Sequence, residues 1–283
     1  MDAVITEAIR VPGEEWEGVV AAADLAILPV GAVEWHGPHL PLGTDLILAE
    51  GFARAWADDG RGSSGGASHD DDGGGRPAVR AVLYPPVAYT ACPGQTRGWP
   101  GTVAVRPETT VAYLGDVLEG ILAAGFTRVL VVNGHDANMS TVRAAMEWAS
   151  GRRRASLMLA NWFQLVAPEE TTETFGPLPS RGHGGAYETA GVMAFAPDAV
   201  RPDVVPDLPP RPKLGVAHPY VLVESAPTPW EGWSGHISLV STERAAHVRE
   251  LAAVRLGELI TAWVAAPLPD APRSAGTENH RSS

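Results

Sequence analysis

Short, nearly unbroken apolar runs recur along the chain at Leu25 to Val30, Val79 to Tyr84, Arg128 to Val132 and Ala155 to Ala160. Runs of this length, rich in β-branched residues and bounded by turn-formers, predict strands buried on both faces. Between and after them, residues 107–124, 138–151, 187–194 and 241–265 carry helical patterns, the last long and amphipathic. Pro107 stands at the first turn of its segment, where a missing N–H costs nothing. Strands alternating with helices imply parallel strands joined by crossovers. The predicted fold is therefore α/β: a three-layer α/β/α sandwich with a mostly parallel central sheet.

Two segments break the alternation. Residues 58–77 are Gly/Ser-rich and carry Asp70, Asp71 and Asp72 in a row. Such a stretch cannot bury enough apolar surface to offset its ordering entropy, so it reads as a disordered loop. Its aspartates lack the alternating spacing of a calcium loop, and His69 beside them reads as a bystander. Residues 267–283 read as a flexible tail for the same compositional reason. The remainder, 1–266, reads as one domain.

Composition narrows the function classes. The 283 residues are 45% hydrophobic, ordinary for a protein with a sizeable core. A formal net charge of −12 argues against a nucleic-acid surface. Arg152, Arg153 and Arg154 close a predicted helix, where cations oppose the negative end of its dipole. No apolar run approaches the ~20 residues of a membrane span, and no signal peptide is visible. Cytoplasmic and soluble is the expectation. Cys92, the one cysteine, excludes an intrachain disulfide framework.

Three polar loops carry the chemistry. The first, Glu34-Trp35-His36-Gly37-Pro38-His39 through Asp45, follows the apolar run ending at Val30. Open α/β sheets bind ligands just beyond the carboxyl ends of their strands. Turn-forming glycines there can fold the chain so that Glu34, His36 and Asp45 converge, a donor set suited to a divalent zinc-like or manganese-like ion. The second loop, Asn133-Gly134-His135-Asp136-Ala137-Asn138, follows the most buried strand. In the third, Arg181 to Thr189, glycines flank His183 and Glu188 falls in the first turn of a predicted helix. Neither a Gly-x-Ser-x-Gly elbow nor a helical His-Glu-x-x-His is present, and Cys92 has no local base to make it a nucleophile.

The strings LPVGAVEWHGPHLPLGTD, VVNGHDAN and GHGGAYETA, with the Gly98-Trp99-Pro100-Gly101-Thr102 block between the first two, resemble the signature blocks of the creatininase family of metallohydrolases. The likeness runs from about Ala26 to Ala196. It implies an α/β/α fold, a metal pair at the strand ends and homo-oligomeric, commonly hexameric, assembly. Position by position it implies that Glu34, His36, Asp45 and His135 are ligands, with Asp45 bridging. Glu188 would complete the second site, and His183 would be the acid/base group near the leaving nitrogen. Zn2+ and Mn2+ fit these donors, and Fe2+ is compatible.

One departure stands out. Creatininases proper carry a glutamate two residues after the histidine matching His135, and here Ala137 occupies that place. Glu188, or Asp136, would fill the gap, and creatinine itself becomes a doubtful substrate. The expected activity is hydrolysis of a C–N bond in a small-molecule amide, linear or cyclic, or a formamide, by attack of a metal-bound hydroxide. A peptide-trimming metallopeptidase of the same family and a non-catalytic metal- or ligand-binding protein are the alternatives. Peptide-trimming relatives in mycofactocin maturation read Asn-Gly-His-Gly-Gly-Asn in the second block, unlike this chain. Asp136, Trp99, Tyr187, Trp233 and His236 are candidate substrate contacts. Trp162 could wall the pocket too, while Trp35 reads as packing and His39 as a loop-fixing residue.

Overall fold

The computed structural model describes residues 3–57, 78–93, 95–177, 181–209 and 230–268. The acidic Gly/Ser-rich segment 58–77 and nearly all of the expected tail lie outside the described residues. Five parallel strands form the sheet: β1 (Ala3–Glu7), β2 (Leu25–Val30), β3 (Val79–Leu83), β4 (Arg128–Asn133) and β5 (Ser156–Asn161), in the order β1-β3-β2-β4-β5. The helices are α1 (Trp16–Ala22), α2 (Thr44–Ala55), α3 (Pro107–Ala123), α4 (Asn138–Ser150), α5 (Pro168–Phe175), α6 (Ala186–Phe195) and α7 (Thr242–Ala265).

Alternation along each strand divides the core into two layers. Leu25, Ile27, Val79, Ala81, Leu83, Leu130 and Val132 face α2, α6 and α7, where Phe52, Val192 and Leu256 meet them. Ala26, Leu28, Val30, Val82, Val129 and Val131 face the opposite way, onto α3 and α4 through Leu114, Leu118 and Val142, with Trp16 and Val20 of α1 at the margin. Both faces of β2 are thus covered, and all six of its residues are buried. The expected three-layer sandwich is the observed one.

Chain order and sheet order disagree at one place. From β2 the chain runs through α2 on one face to β3; from β4 it runs through α4 on the other face to β5. The segments leaving the carboxyl ends of the neighbouring strands β2 and β4 therefore diverge to opposite faces. This is the switch point at which open α/β sheets form a crevice.

The first turn of α2 plugs that crevice from one side. At Gly134, just past β4, a Cβ would stand 1.9 Å from the carbonyl oxygen of Asp45 in α2. No side chain fits, so glycine sets how closely the β4 exit approaches Asp45. Trp162 then donates its indole N–H to the Gly134 carbonyl at 3.2 Å, fixing the peptide from the far side. Gly134→Ala should cost at least ~2 kcal/mol by overpacking and lower Tm by at least ~4 °C in a calorimetric scan; an unchanged Tm would contradict this packing.

Candidate metal centre

Each site residue is delivered by an element end. Glu34 and His36 follow β2 in the segment that a bond from the Glu34 N–H to the Leu42 carbonyl (2.9 Å) folds back on itself. The backbone there is extended, so alternate side chains face opposite ways. Glu34 and His36 point inward, while Trp35 between them stacks on Trp99 at 5.6 Å. Asp45 sits in the first turn of α2, His135 lies two residues past β4, and Glu188 sits in the first turn of α6.

These side chains converge. Asp45 Oδ1 lies 3.2 Å from His36 Nε2, and its other oxygen, Oδ2, lies 3.0 Å from His135 Nδ1. Glu34 Oε2 is 3.2 Å from His135 Nδ1 and 3.8 Å from His36 Nε2. Glu188 Oε2 approaches His36 Nε2 at 4.0 Å. The side chains of Glu34, His36 and Asp45 are at most 1% exposed, and that of Glu188 is 18% exposed.

Surrounding bonds aim the donors inward. His36 gives its Nδ1–H to the Glu34 carbonyl at 3.1 Å and presents Nε2 to the cluster. The Thr96 hydroxyl donates to Glu34 Oε1, leaving Oε2. Asn133 clamps the His135 backbone, donating to its carbonyl at 2.8 Å and accepting from its N–H at 3.1 Å. What remains is a set of buried atoms, Glu34 Oε2, His36 Nε2 and Asp45 Oδ2, with no hydrogen bond. Buried polar groups are rarely left so, and buried charges are paired or coordinate a metal. Carboxylate and imidazole donors meeting at one point fit a divalent ion such as zinc or manganese.

Without an ion the cluster must be neutralised by protons. Burial opposes a charged His36, but Asp45, Glu188 and Glu34 outweigh it and raise its pKa to about 10. His135 is likewise raised by Asp45 and Glu34 against the effect of burial. Burial pushes the Asp45 carboxyl up, yet the two imidazoles hold it well below the usual carboxylate range. Glu188 is raised by burial.

His183 belongs to the same group by contact. Its ring stacks on that of His36 at 4.1 Å, and its Nε2–H donates to the Trp35 carbonyl at 2.7 Å. Burial, with the neighbouring charge of His36, lowers its pKa to about 4. Gly184 follows at φ +64°, where a Cβ would lie 2.5 Å from the His36 carbonyl oxygen. The Gly184 N–H donates to Glu188 Oε2 at 2.6 Å, and its carbonyl accepts from His39 Nε2 at 2.8 Å. His39 thus ties the His183 loop to the Glu34 loop.

The candidate substrate contacts fare differently. Tyr187 is 1% exposed, stacks on Trp162 at 4.7 Å and lies under the Arg181 guanidinium at 4.2 Å. That places Tyr187 and Trp162 in the core, with the Tyr187 ring turned inward from the start of α6. Asp136 is exposed and stands apart from the donor cluster. Trp99 backs the Glu34 loop through Trp35, and Trp233 packs edge-on against His39 at 6.2 Å. His236 precedes the turn Ile237–Leu239, whose Ser238 is bonded by Asp207.

Three neighbours of the centre escaped the sequence reading. Thr96 reaches Glu34 across 62 positions, a separation that no local pattern encodes. Trp230 lies 5.7 Å from the His183 ring. The Cys92 sulfur shares a group with Glu34 and His135, their donor atoms all within 4.8 Å of one another.

Comparison with known proteins gives consistent matches. A family model described as creatinine amidohydrolase matches residues 12–260. A mycofactocin precursor peptide peptidase of Mycolicibacterium smegmatis is 33% identical over 180 residues, covering 63% of this chain and 61% of its own. The chain therefore spans about three fifths of that relative. A creatinine amidohydrolase of Pseudomonas putida is 24% identical over 264 residues, covering 87% of this chain and 93% of its own. Among solved structures, a manganese form of creatininase superposes with a TM-score of 0.74 at 22% identity, covering 93% of this chain and 100% of its own. A zinc–zinc form of a mutant creatininase gives 0.73 at 22% identity, covering 94% and 100%.

The proton inventory has a measurable consequence for protein stripped of ions. A folded-state pKa of about 10 for His36, above its ordinary 6.5, favours the protonated form in the fold. The stability it contributes is complete below pH 6.5 and is lost as pH rises through about 10. Chelator-treated protein should therefore lose Tm between pH 6.5 and pH 10, and the loss should shrink in His36→Gln. An identical pH dependence in the two proteins would contradict this charge pairing.

Proposed function

The chain belongs to the creatininase family, and on that premise we propose that it is a metal-dependent amidohydrolase that cleaves a C–N bond in a linear or cyclic amide or a formamide. One observation carries the reading: the two oxygens of Asp45 face two different imidazoles, at 3.2 Å and 3.0 Å, as a carboxylate shared by two ions requires. Glu34, His135 and Asp45 Oδ2 would hold one ion; His36, Asp45 Oδ1 and Glu188 would hold the other. When bound, a divalent pair supplies Lewis-acid polarisation of the substrate carbonyl and acidifies water towards neutral pH.

The chain's own residues do the rest. His183 keeps its Nε2 proton on the Trp35 carbonyl, so Nδ1 is the atom that accepts a proton and returns it to the departing nitrogen. Its lowered pKa keeps the ring neutral and able to accept at pH 7. Glu188, tied to the Gly184 N–H, couples the position of that loop to the second ligand set. Trp230 beside His183 and Trp35 on Trp99 give the entrance flat apolar surface for the substrate body.

Ala137 lies at the start of α4 with a methyl group, which cannot ligate. Glu188 replaces the missing carboxylate, and creatinine is not the substrate we propose. A second reading, peptide trimming, is favoured by the 33% identity over 180 residues to the mycofactocin precursor peptide peptidase. Zinc or manganese is the proposed metal, as in the two creatininase forms that share the fold. The same reading makes the protein a cytoplasmic homo-oligomer, hexameric by family resemblance, acting on a small molecule. No helix among the described residues is long and apolar enough to cross a membrane, and a net charge of −12 disfavours nucleic acid.

Freshly purified protein should carry two divalent ions per chain, and Asp45→Ala should lose both by elemental analysis. His183→Ala should keep both ions and lose ~10²–10⁴-fold in kcat on whichever member of an amide, lactam, formamide and peptide panel is turned over. Full turnover after exhaustive chelation, or unaltered kcat in His183→Ala, would overturn the assignment concerned.

A further inference from the structure

We infer that Cys92 supplies a sulfur ligand to the ion held by Glu34 and His135, making that position a four-donor site and leaving the His36–Glu188 position as the one open to substrate. The inference rests on the binuclear reading above.

The thiol is brought there by backbone, not by chance proximity of a surface group. Ala91 pairs with Val105 in an isolated parallel bridge, and the Thr90 hydroxyl donates to the Gly31 carbonyl at 2.6 Å. Those two contacts pin the segment carrying Cys92 to the exit of β2. Cys92 is 5% exposed; its S–H has the Thr90 carbonyl at 3.9 Å, the outer limit for a sulfur donor, and the His135 ring within hydrogen-bonding reach. A thiol placed only to pack would face apolar neighbours. This one shares a group with the Glu34 carboxylate and the His135 imidazole, their donor atoms within 4.8 Å of one another.

One partner in that group is itself incomplete. Glu34 Oε2 is buried and makes no hydrogen bond, and it meets His135 on its Nδ1 side at 3.2 Å. Zinc bonds of about 2.3 Å to sulfur and ~2.0–2.2 Å to nitrogen and oxygen would place tetrahedral donors ~3.3–3.6 Å apart, inside the 4.8 Å limit, so binding would draw the three groups closer together. Asp45 Oδ2, 3.0 Å from His135 Nδ1, would be the fourth donor. Four protein donors close a tetrahedral zinc site, whereas three leave a position for water or substrate. The other position has three, His36, Asp45 and Glu188, and Glu188 is the most exposed of the ligands. His183 stacks on His36, at the open position, where a proton donor is useful. The two ions would then divide the work: a closed, sulfur-bound ion that fixes Asp45, and an open one that meets the substrate. A thiolate also biases the closed position towards zinc over manganese.

X-ray absorption at the zinc edge of zinc-loaded full-length protein, with metal counted in the same sample, tests this directly. Two ions per chain and a sulfur scatterer at about 2.3 Å, absent in Cys92→Ser, are expected. Under a chelator the wild type should release one ion quickly and one slowly, and Cys92→Ser should release both quickly, its slow-site affinity reduced by at least ~10–100-fold. Two ions with nitrogen and oxygen scatterers only would overturn the cysteine ligand while leaving the binuclear reading intact. Fewer than two ions in the wild type would overturn both.

Discussion

The structure is organised around a buried cluster that is electrostatically unfinished. Glu34, His36, Asp45 and His135 are almost fully enclosed, and the inward atoms of the first three lack hydrogen bonds. Isolated charges in such surroundings are costly, and breaking one pairing strands the other member. The fold therefore has to hold carboxylates and imidazoles within about a hydrogen bond of each other, from three separate segments. Most of the unusual local features serve that requirement: the missing side chain at Gly134, the Asn133 clamp on His135 and the Thr96 hydroxyl on Glu34.

Sheet topology explains why the cluster forms where it does. The segments that follow β2 and β4 turn to opposite faces, opening a gap at the carboxyl ends of the two most buried strands. Polar loops enter the gap from β2, β4 and α6, and the first turn of α2 closes it from one side with Asp45. Because α2 also packs Leu48 and Phe52 into the larger core layer, the ligand geometry is coupled to global packing. A ligand site on an element end so anchored is held more firmly than one on a free loop.

Much of this was legible in the sequence, for physical reasons that also mark its limits. Continuous apolar runs identified β2, β3, β4 and β5 to within a residue or so, because strands covered on both faces have no polar side to dilute the pattern. Strand β1 escaped: it lies at the sheet edge, and none of its residues is fully buried. Helix α2 escaped because it begins inside a Gly- and Pro-rich stretch that reads as turn; α1, only seven residues long, and α5, eight residues and mostly polar, gave no signal. The residues of the buried cluster could be singled out because each follows a strand or opens a helix. Thr96 and the placement of Cys92 could not, since both depend on contacts between segments distant in the chain. The buried stacking of Tyr187 on Trp162 likewise depends on a contact between segments distant in the chain.

Cys92 and Ala137 together separate this chain from a simple copy of its family's pattern: one carboxylate is missing and one thiol lies beside the donors. Anomalous diffraction from crystals of the full-length protein, collected at the zinc and manganese edges, would test the central claim most directly. Two peaks ~3.5–4 Å apart, one on each side of the Asp45 carboxylate, are expected. A single peak, or none bordered by Glu34, His36, Asp45 and His135, would contradict the account.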